Sequence, residues 1–371
     1  MTLRPVVGIV GSAGAYGRWL SRFLRERMGL EVWGHDPADA ASLDEAELLA
    51  RVDVLVFSAP IRQTPALIAH YAALADGRER EQLWLDVTSI KQAPVAAMLA
   101  SQAEVVGLHP MTAPPKSPTL KGRVMVVCEA RLSRWRPWVE QLCAALEAEC
   151  VPATPEHHDR VMALVQGMVH ATHLAQAGVL RDYTPLLGEL QALMPFRSAS
   201  FELDTAVIAR ILSLNPTIYE DIQFGNPYVP EMLDRLLAQL ATLRELVRQG
   251  DDAARARFRT QYLRENHDAL APASLEAGNY SYERVGYLLA DLTEPLATSV
   301  YLPEDRPGSL RALLHVFEQH GVNLSSIHSS RTPAGELHFR MGFEPDTDPA
   351  RLAAAKQEID ASGIGRVLPQ R

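Results

Sequence analysis

The stretch Val7-Gly8-Ile9-Val10-Gly11-Ser12-Ala13-Gly14-Ala15-Tyr16-Gly17-Arg18 decides how the chain folds. Its first four residues read as a buried strand, the glycines at 11, 14 and 17 as a tight turn, and Arg18-Trp19-Leu20 as the opening of a helix. Further strand candidates lie at residues 31–34, 52–58, 83–87, 104–108 and 124–128, with helical patterns such as 16–28 and 65–74 between them. Strand and helix alternating at this period predict an α/β domain over residues 1–152, a parallel sheet covered by helices.

The pattern then changes twice. Apolar residues recur at helical spacing over 157–183, 200–214, 229–249 and 251–270, which predicts an all-helical domain over 153–294. Leu233, Leu236, Leu237, Leu240, Leu243 and Val247 form one apolar stripe, suited to a bundle or a subunit interface. From 295 to 371 the order is strand 298–302, helix 310–319, strand 323–328, a turn at 333–335, strand 336–343 and helix 350–362. A β-α-β-β-α run of this size is a ferredoxin-like module.

Composition narrows the class. The 371 residues carry 36 Lys+Arg against 45 Asp+Glu, a net charge of −9, which argues against nucleic-acid and anionic-membrane partners. With 47% hydrophobic and 22% charged residues the chain reads as globular. Cys128, Cys143 and Cys150 fit neither a disulfide framework nor zinc spacing. The sequence has no leader-like opening and no apolar run of membrane-spanning length, so a cytoplasmic protein is expected.

Glycines in the opening turn let the backbone approach a pyrophosphate, whose charge the following helix N-terminus stabilises. Asp36 follows Gly17 by 19 residues, at the end of the next strand candidate, where a carboxylate accepts bonds from an adenosine ribose. An acid there repels a 2′-phosphate, so NAD is expected over NADP, and the neighbouring His35 does not replace the arginine that NADP requires. The other reading of the motif is a glycine turn with a purely structural role.

A second constellation lies further along. Gly107-Leu108-His109-Pro110-Met111 ends a strand at the carboxyl edge of the predicted sheet, where an imidazole can accept a proton from a substrate hydroxyl. Asp86-Val87-Thr88-Ser89-Ile90-Lys91 ends the strand before it. Lys91 reads either as an anion-steering group or as a solvated lysine at a helix start. On a helix of regular pitch Asp159, Gln166, His170 and His173 fall within about 40° of one another, a polar stripe that could face a substrate. Its alternatives are buried, satisfied polar groups or a metal held by His170, His173 and Asp159; no metal is expected, since hydride chemistry needs none.

Taken in order, these motifs resemble the prephenate dehydrogenase family of tyrosine biosynthesis. The matching residues are the Gly11–Gly17 turn, Phe57-Ser58-Ala59-Pro60, Asp86 to Lys91, Gly107 to Met111, His158-Asp159, His170, and Arg210 through Asn215-Pro216 to Tyr219. The resemblance implies oxidative decarboxylation of prephenate to 4-hydroxyphenylpyruvate, with hydride passing to NAD, in a homodimer. It makes His109 the catalytic base and places Ser89 beside the substrate hydroxyl and the nicotinamide. It gives Arg210 a substrate carboxylate to clamp and puts His170 and Tyr219 around the same substrate, to which Gln166 from the polar stripe and Lys91 are added as substrate-binding candidates. Gly11, Gly14, Tyr16, Gly17, Asp36, Ser58 and Pro60 are the implied cofactor contacts. After His109-Pro110 many members carry a glycine and then an acid, whereas this chain reads Met111 to Pro115 and then Lys116. That loop leaves arogenate or mixed specificity as an alternative.

The last module resembles an ACT domain through Arg306-Pro307-Gly308-Ser309-Leu310, His320-Gly321-Val322-Asn323 and Ile327 to Arg331. The resemblance implies an amino-acid effector, such as tyrosine, at Gly308 and Asn323; the other reading is a dimerisation module without a ligand. A non-enzymatic alternative for the whole chain is a nucleotide-binding amino-acid sensor. His109, Ser89 and Arg210 together speak against it, because a sensor needs no base beside a carboxylate clamp.

Overall fold

A computed structural model describes residues 4–115, 117–293, 296–303, 306–331 and 337–368. Lys116 and the turn expected at 333–335 lie outside the described residues. The chain forms two compact units, 1–245 and 246–371.

The first unit opens on a sheet of seven strands: β1 (Val7–Val10), β2 (Val32–His35), β3 (Val54–Phe57), β4 (Leu83–Asp86), β5 (Glu104–Pro110), β6 (Val124–Arg131) and β7 (Glu149–Pro152). Their order is β2-β1-β3-β4-β5-β6-β7. The expected parallel sheet is present in the first five strands; β6 and β7 extend it, parallel to each other and antiparallel to β5. Helices α1 (Ala15–Glu26), α2 (Glu45–Arg51), α3 (Thr64–Ala75), α4 (Gln92–Leu99) and α5 (Arg136–Leu146) cover it.

Strand alternation builds two cores at once. Val54 and Val56 of β3, with Leu83 and Leu85 of β4, join one apolar cluster with Trp19, Phe23 and Trp138. Leu55, Phe57 and Trp84 face the other way and pack with Ile68, Tyr71 and Met98. A sheet buried on both faces needs continuous apolar strands, and each large side chain so buried contributes about 1.5–3 kcal/mol. Trp84 and Trp138 are fully buried, so both layers are closed.

Helical segments follow: α6 (Pro155–Met162), a π-helical segment (Ala163–Met168), α7 (Val169–Leu187), α8 (Leu190–Leu193), α9 (Ala199–Ser213), α10 (Pro216–Gly225) and α11 (Val229–Gln249). Thr154 caps α6 by accepting from the His157 N–H, and Asn215 caps α10 by accepting from the Thr217 N–H.

The second unit continues through α12 (Asp252–Phe258), a further π turn at Arg259–Arg264, α13 (Glu265–Ala269) and α14 (Pro272–Thr293). It ends in β8 (Ala297–Leu302), α15 (Ser309–Gln319), β9 (Leu324–Arg331), β10 (Leu337–Phe343), α16 (Pro349–Ala361) and β11 (Arg366–Val367). The four strands form an antiparallel sheet in the order β11-β8-β10-β9. Its core holds Val300, Leu313, Phe317, Met341, Phe343 and Ile359. No helix among the described residues is long and apolar enough to cross a membrane.

Candidate active site

Strand order reverses between β1 and β3, so a crevice opens at their carboxyl ends. Gly11 sits there at φ +85°, and a Cβ on it would lie 2.6 Å from the Ser58 carbonyl oxygen that ends β3. A Cβ on Gly17 would collide with the carbonyl oxygen of Gly11. The turn is therefore closed down to backbone on all sides, which only glycine permits. Gly14 is the N-cap of α1 and supplies no side-chain cap, leaving the first N–H groups of that helix without a side-chain acceptor.

Asp36 stands at the end of β2, its Oδ2 accepting from the Ala13 N–H at 3.0 Å and its Oδ1 from the Ala38 N–H at 2.9 Å. The carboxylate is thus fastened to the glycine turn. The Ser58 hydroxyl is buried and has no hydrogen-bond partner. Pro60 is exposed, and its carbonyl oxygen accepts from Thr64 at the start of α3. Arg18, Arg22 and Arg25 of α1 line a groove with Ser12, Gly34 and Ser42, together with the carboxylates of Glu26 and Asp39.

Tyr16, expected among the cofactor contacts, has its ring engaged elsewhere. Its ring packs edge-on against Trp19 at 5.7 Å and lines a small apolar cavity beneath the sheet. Its hydroxyl is buried without a partner, and burial pushes its pKa well above the usual phenol range. Only the backbone of Tyr16, in the first turn of α1, is left to serve a ligand.

His109 lies near the carboxyl end of β5 and is 2% exposed. Its Nδ1 is 2.8 Å from His158 Nε2, and His158 Nδ1 is 2.7 Å from Asp159 Oδ1. On its other side, His109 Nε2 has the Gln166 side-chain nitrogen at 3.5 Å. Burial, then the neighbouring His158 and Lys91, hold the His109 imidazole well below its ordinary pKa. It therefore stays neutral at physiological pH, with a lone pair available for a proton.

Lys91 is not a substrate ligand in this geometry, nor is it solvated. It is 0% exposed, and its ammonium is paired with Asp86 Oδ2 and donates to the Leu108 carbonyl oxygen at 2.8 Å. Asp86 Oδ2 also accepts from the Thr88 N–H and the Thr88 hydroxyl. Gly107 makes room for this pair: a Cβ there would sit 3.0 Å from Lys91 Cδ and 3.2 Å from Asp86 Oδ1. The ion pair ties β4, the start of α4 and β5 together directly beneath His109.

Asp159 likewise departs from the expected stripe. Besides His158, it accepts from the Lys91 N–H at 2.8 Å and the Gln92 N–H at 2.9 Å, capping α4 from outside. The π-helical segment Ala163–Met168 explains the difference. It adds about one residue to a turn, so positions beyond it are rotated by roughly 100° from where a regular pitch puts them. Beyond that turn, His170 meets the Tyr219 ring edge-on at 4.9 Å, and His173 lies 3.4 Å from Asp204. His170 is half-buried, its Nδ1 has no partner, and burial followed by His173 lowers its pKa.

Ser89 is half-buried in the loop after β4, and its hydroxyl makes no hydrogen bond among the described residues. Arg210 is exposed on the last turn of α9, and its guanidinium has no ion-pair partner among the described residues. The fold thus joins His109 to Gln166 and His170 to Tyr219, while Lys91 is taken into the core. His158 is the neighbour of His109 that sequence reasoning left unused; the His157-His158-Asp159 cluster was its only signal. In the second unit Gly308, at φ +98°, and Asn323 line one groove with Arg311 and His315.

These features define a Rossmann-type α/β protein with a buried histidine at the carboxyl edge of its sheet and a helical extension beside it. Residues 154–260 match the family model of the prephenate dehydrogenase dimerization domain, and residues 296–363 that of the ACT domain. Over these stretches, and over about two thirds of its length, the chain is similar to prephenate and arogenate dehydrogenases. It is 30% identical over 254 residues to the T-protein of Enterobacter agglomerans, covering 68% of this chain and 65% of that one. It is 27% identical over 263 residues to a probable arogenate/prephenate dehydrogenase of Methanocaldococcus jannaschii, covering 66% of this chain and 57% of that one. The chain thus spans less than two thirds of the length of these two curated relatives. Among solved structures, prephenate dehydrogenase of A. aeolicus, in complex with hydroxyphenyl propionate and NAD+, shares the fold. Its TM-score is 0.57 at 19% identity, over 72% of this chain and 99% of that chain. Synechocystis arogenate dehydrogenase aligns at a TM-score of 0.53 and 16% identity, over 74% of this chain and 99% of that chain.

Proposed function

We propose that this protein catalyses the oxidative decarboxylation of prephenate to 4-hydroxyphenylpyruvate, using NAD. The observation that carries the reading is His109, a buried imidazole kept neutral at the sheet edge that also holds the glycine turn. The cofactor residues fit a dinucleotide: Gly11 and Gly17 admit no Cβ, α1 lacks a side-chain cap, and Asp36 is held at the ribose position. Bound there, NAD supplies the hydride acceptor.

His109 Nε2 accepts the proton of the substrate ring hydroxyl as the carbonyl forms. Gln166, whose Oε1 is buried without a partner, and Ser89, whose hydroxyl is unengaged, orient that hydroxyl. Arg210 grips a carboxylate bidentately, which suits a dianion on an otherwise acidic protein. His170 and Tyr219, in edge-on contact between α7 and α10, are the further residues assigned to the substrate. Loss of CO2 and aromatisation drive the step forward, so the protein's work is positioning and proton acceptance.

An arogenate or mixed specificity is the second reading, favoured by the arogenate/prephenate dehydrogenase among the relatives. A homodimer follows from the dimerization-domain match, with exposed Leu164, Val165, Leu186 and Leu187 as apolar surface for it. The groove holding Gly308 and Asn323 is suited to an amino-acid effector such as tyrosine. The domains are assigned as 1–152 for the cofactor, 153–294 for substrate and dimer, and 295–371 for regulation.

The direct test is the absorbance of reduced cofactor after adding NAD or NADP with prephenate or arogenate. Signal with NAD and prephenate is expected; none with any pair would refute the enzymatic reading and leave the sensor. Arg210→Ala is expected to raise KM for prephenate about tenfold to a hundredfold, the worth of a charge-assisted hydrogen bond, with NAD affinity unchanged. An unchanged KM in steady-state assays would move the carboxylate clamp elsewhere.

A further inference from the structure

We infer that His158 and Asp159 are positioning residues that set the tautomer of His109 and share the charge it acquires. This rests on the proposed role of His109 as base. All three groups are buried, at 2%, 1% and 0% exposure, and they form one line: His109 Nδ1, His158 Nε2 at 2.8 Å, then His158 Nδ1 and Asp159 Oδ1 at 2.7 Å.

The direction of the line follows from its end. A carboxylate only accepts, and both Asp159 oxygens already accept N–H groups from the start of α4. His158 Nδ1 must therefore carry the hydrogen, which leaves His158 Nε2 as an acceptor. His109 Nδ1 in turn donates to it, and the one nitrogen of His109 left without a hydrogen is Nε2, on the Gln166 side. The base is thus aimed before any substrate arrives.

When Nε2 takes up a proton, the imidazolium of His109 still donates through Nδ1. Its charge is offset through His158 by Asp159, which cannot swing away because it caps α4. Asn226 also donates to the Asp159 carbonyl oxygen at 2.7 Å and fixes its backbone. The remaining charged or titratable groups around His109 are Lys91 and Asp86, which are paired with each other, and Cys128, whose thiol burial pushes up to about 12. His158 and Lys91 both oppose protonation of His109, and the Asp159 carboxylate at the far end of the line is the negative charge set against them.

Three measurements on the full chain test this. In 15N imidazole spectra of the wild-type protein, the resonances lost in His109→Asn should report Nδ1–H and a bare Nε2; a hydrogen on Nε2 would overturn the assignment without any variant of the relay. His158→Leu should lower kcat about tenfold to a hundredfold at unchanged NAD affinity, and let the His109 hydrogen redistribute between Nδ1 and Nε2 in the same spectra, because Nδ1 loses its acceptor. His158→Gln, whose Oε1 can accept from His109 Nδ1, should restore a large part of the rate. A merely structural role would lower thermal stability in both variants and leave the His109 hydrogen on Nδ1 in His158→Leu, which would also overturn the proposal. An active His109→Asn enzyme would instead remove the base itself, so failure of that reading is distinguishable from failure of the relay.

Discussion

Replacing His109 by asparagine is expected to lower kcat by roughly two orders of magnitude or more, with NAD affinity unchanged. Asparagine is small enough for the site, and its amide can still donate to His158 Nε2, so the neighbouring network keeps a partner. What it lacks is a basic nitrogen where Nε2 stood. The glycine turn is built from β1, β3 and α1 and makes no use of the His109 side chain, so cofactor binding should survive. Stopped assays with titration of NAD by protein fluorescence separate the two quantities. Because burial lowers the pKa of His109, the wild-type rate should persist at pH values below the ordinary imidazole range before protonation stops it. A variant that keeps most of its kcat would remove His109 from the base role.

The second large effect concerns stability. Lys91→Met should destabilise the first unit by about 3–5 kcal/mol, since it leaves the buried Asp86 carboxylate without its counter-ion. Methionine fills nearly the same volume, so the loss is electrostatic rather than a cavity. The double variant Lys91→Met with Asp86→Leu should recover much of it, because removing both charges also removes both desolvation penalties. Denaturant melts of the two variants measure the difference. Were Lys91 a substrate ligand, the single variant would keep wild-type stability and raise KM instead.

Local pattern carried much of the fold. The β1 strand, the glycine turn and Asp36 were legible because each depends on neighbours in sequence: a continuous buried run, a left-handed φ that favours glycine, a fixed chain length to the next strand. β7 escaped because Glu149-Cys-Val-Pro152 is exposed throughout and carries no apolar signal. Lys91 was misread because its burial depends on Asp86 and on the missing Cβ of Gly107, which pair across the neighbouring strands β4 and β5 but lie 21 positions apart in sequence. Asp159 was placed on the wrong face because a helical wheel assumes constant pitch, and the π turn at Ala163–Met168 breaks it. The partnership of His109 with His158 spans 49 positions, beyond any local reading.

That same π turn divides one continuous rod into two separately phased halves. N-terminal to it, α6 places His158 and Asp159 in line with His109; C-terminal to it, α7 presents His170 toward Tyr219. Deleting a single residue within 163–168 would restore regular pitch and rotate the distal half by about 100° while leaving the proximal half in place. Insertion or deletion in this one turn would therefore re-aim His170 without moving His158 or Asp159.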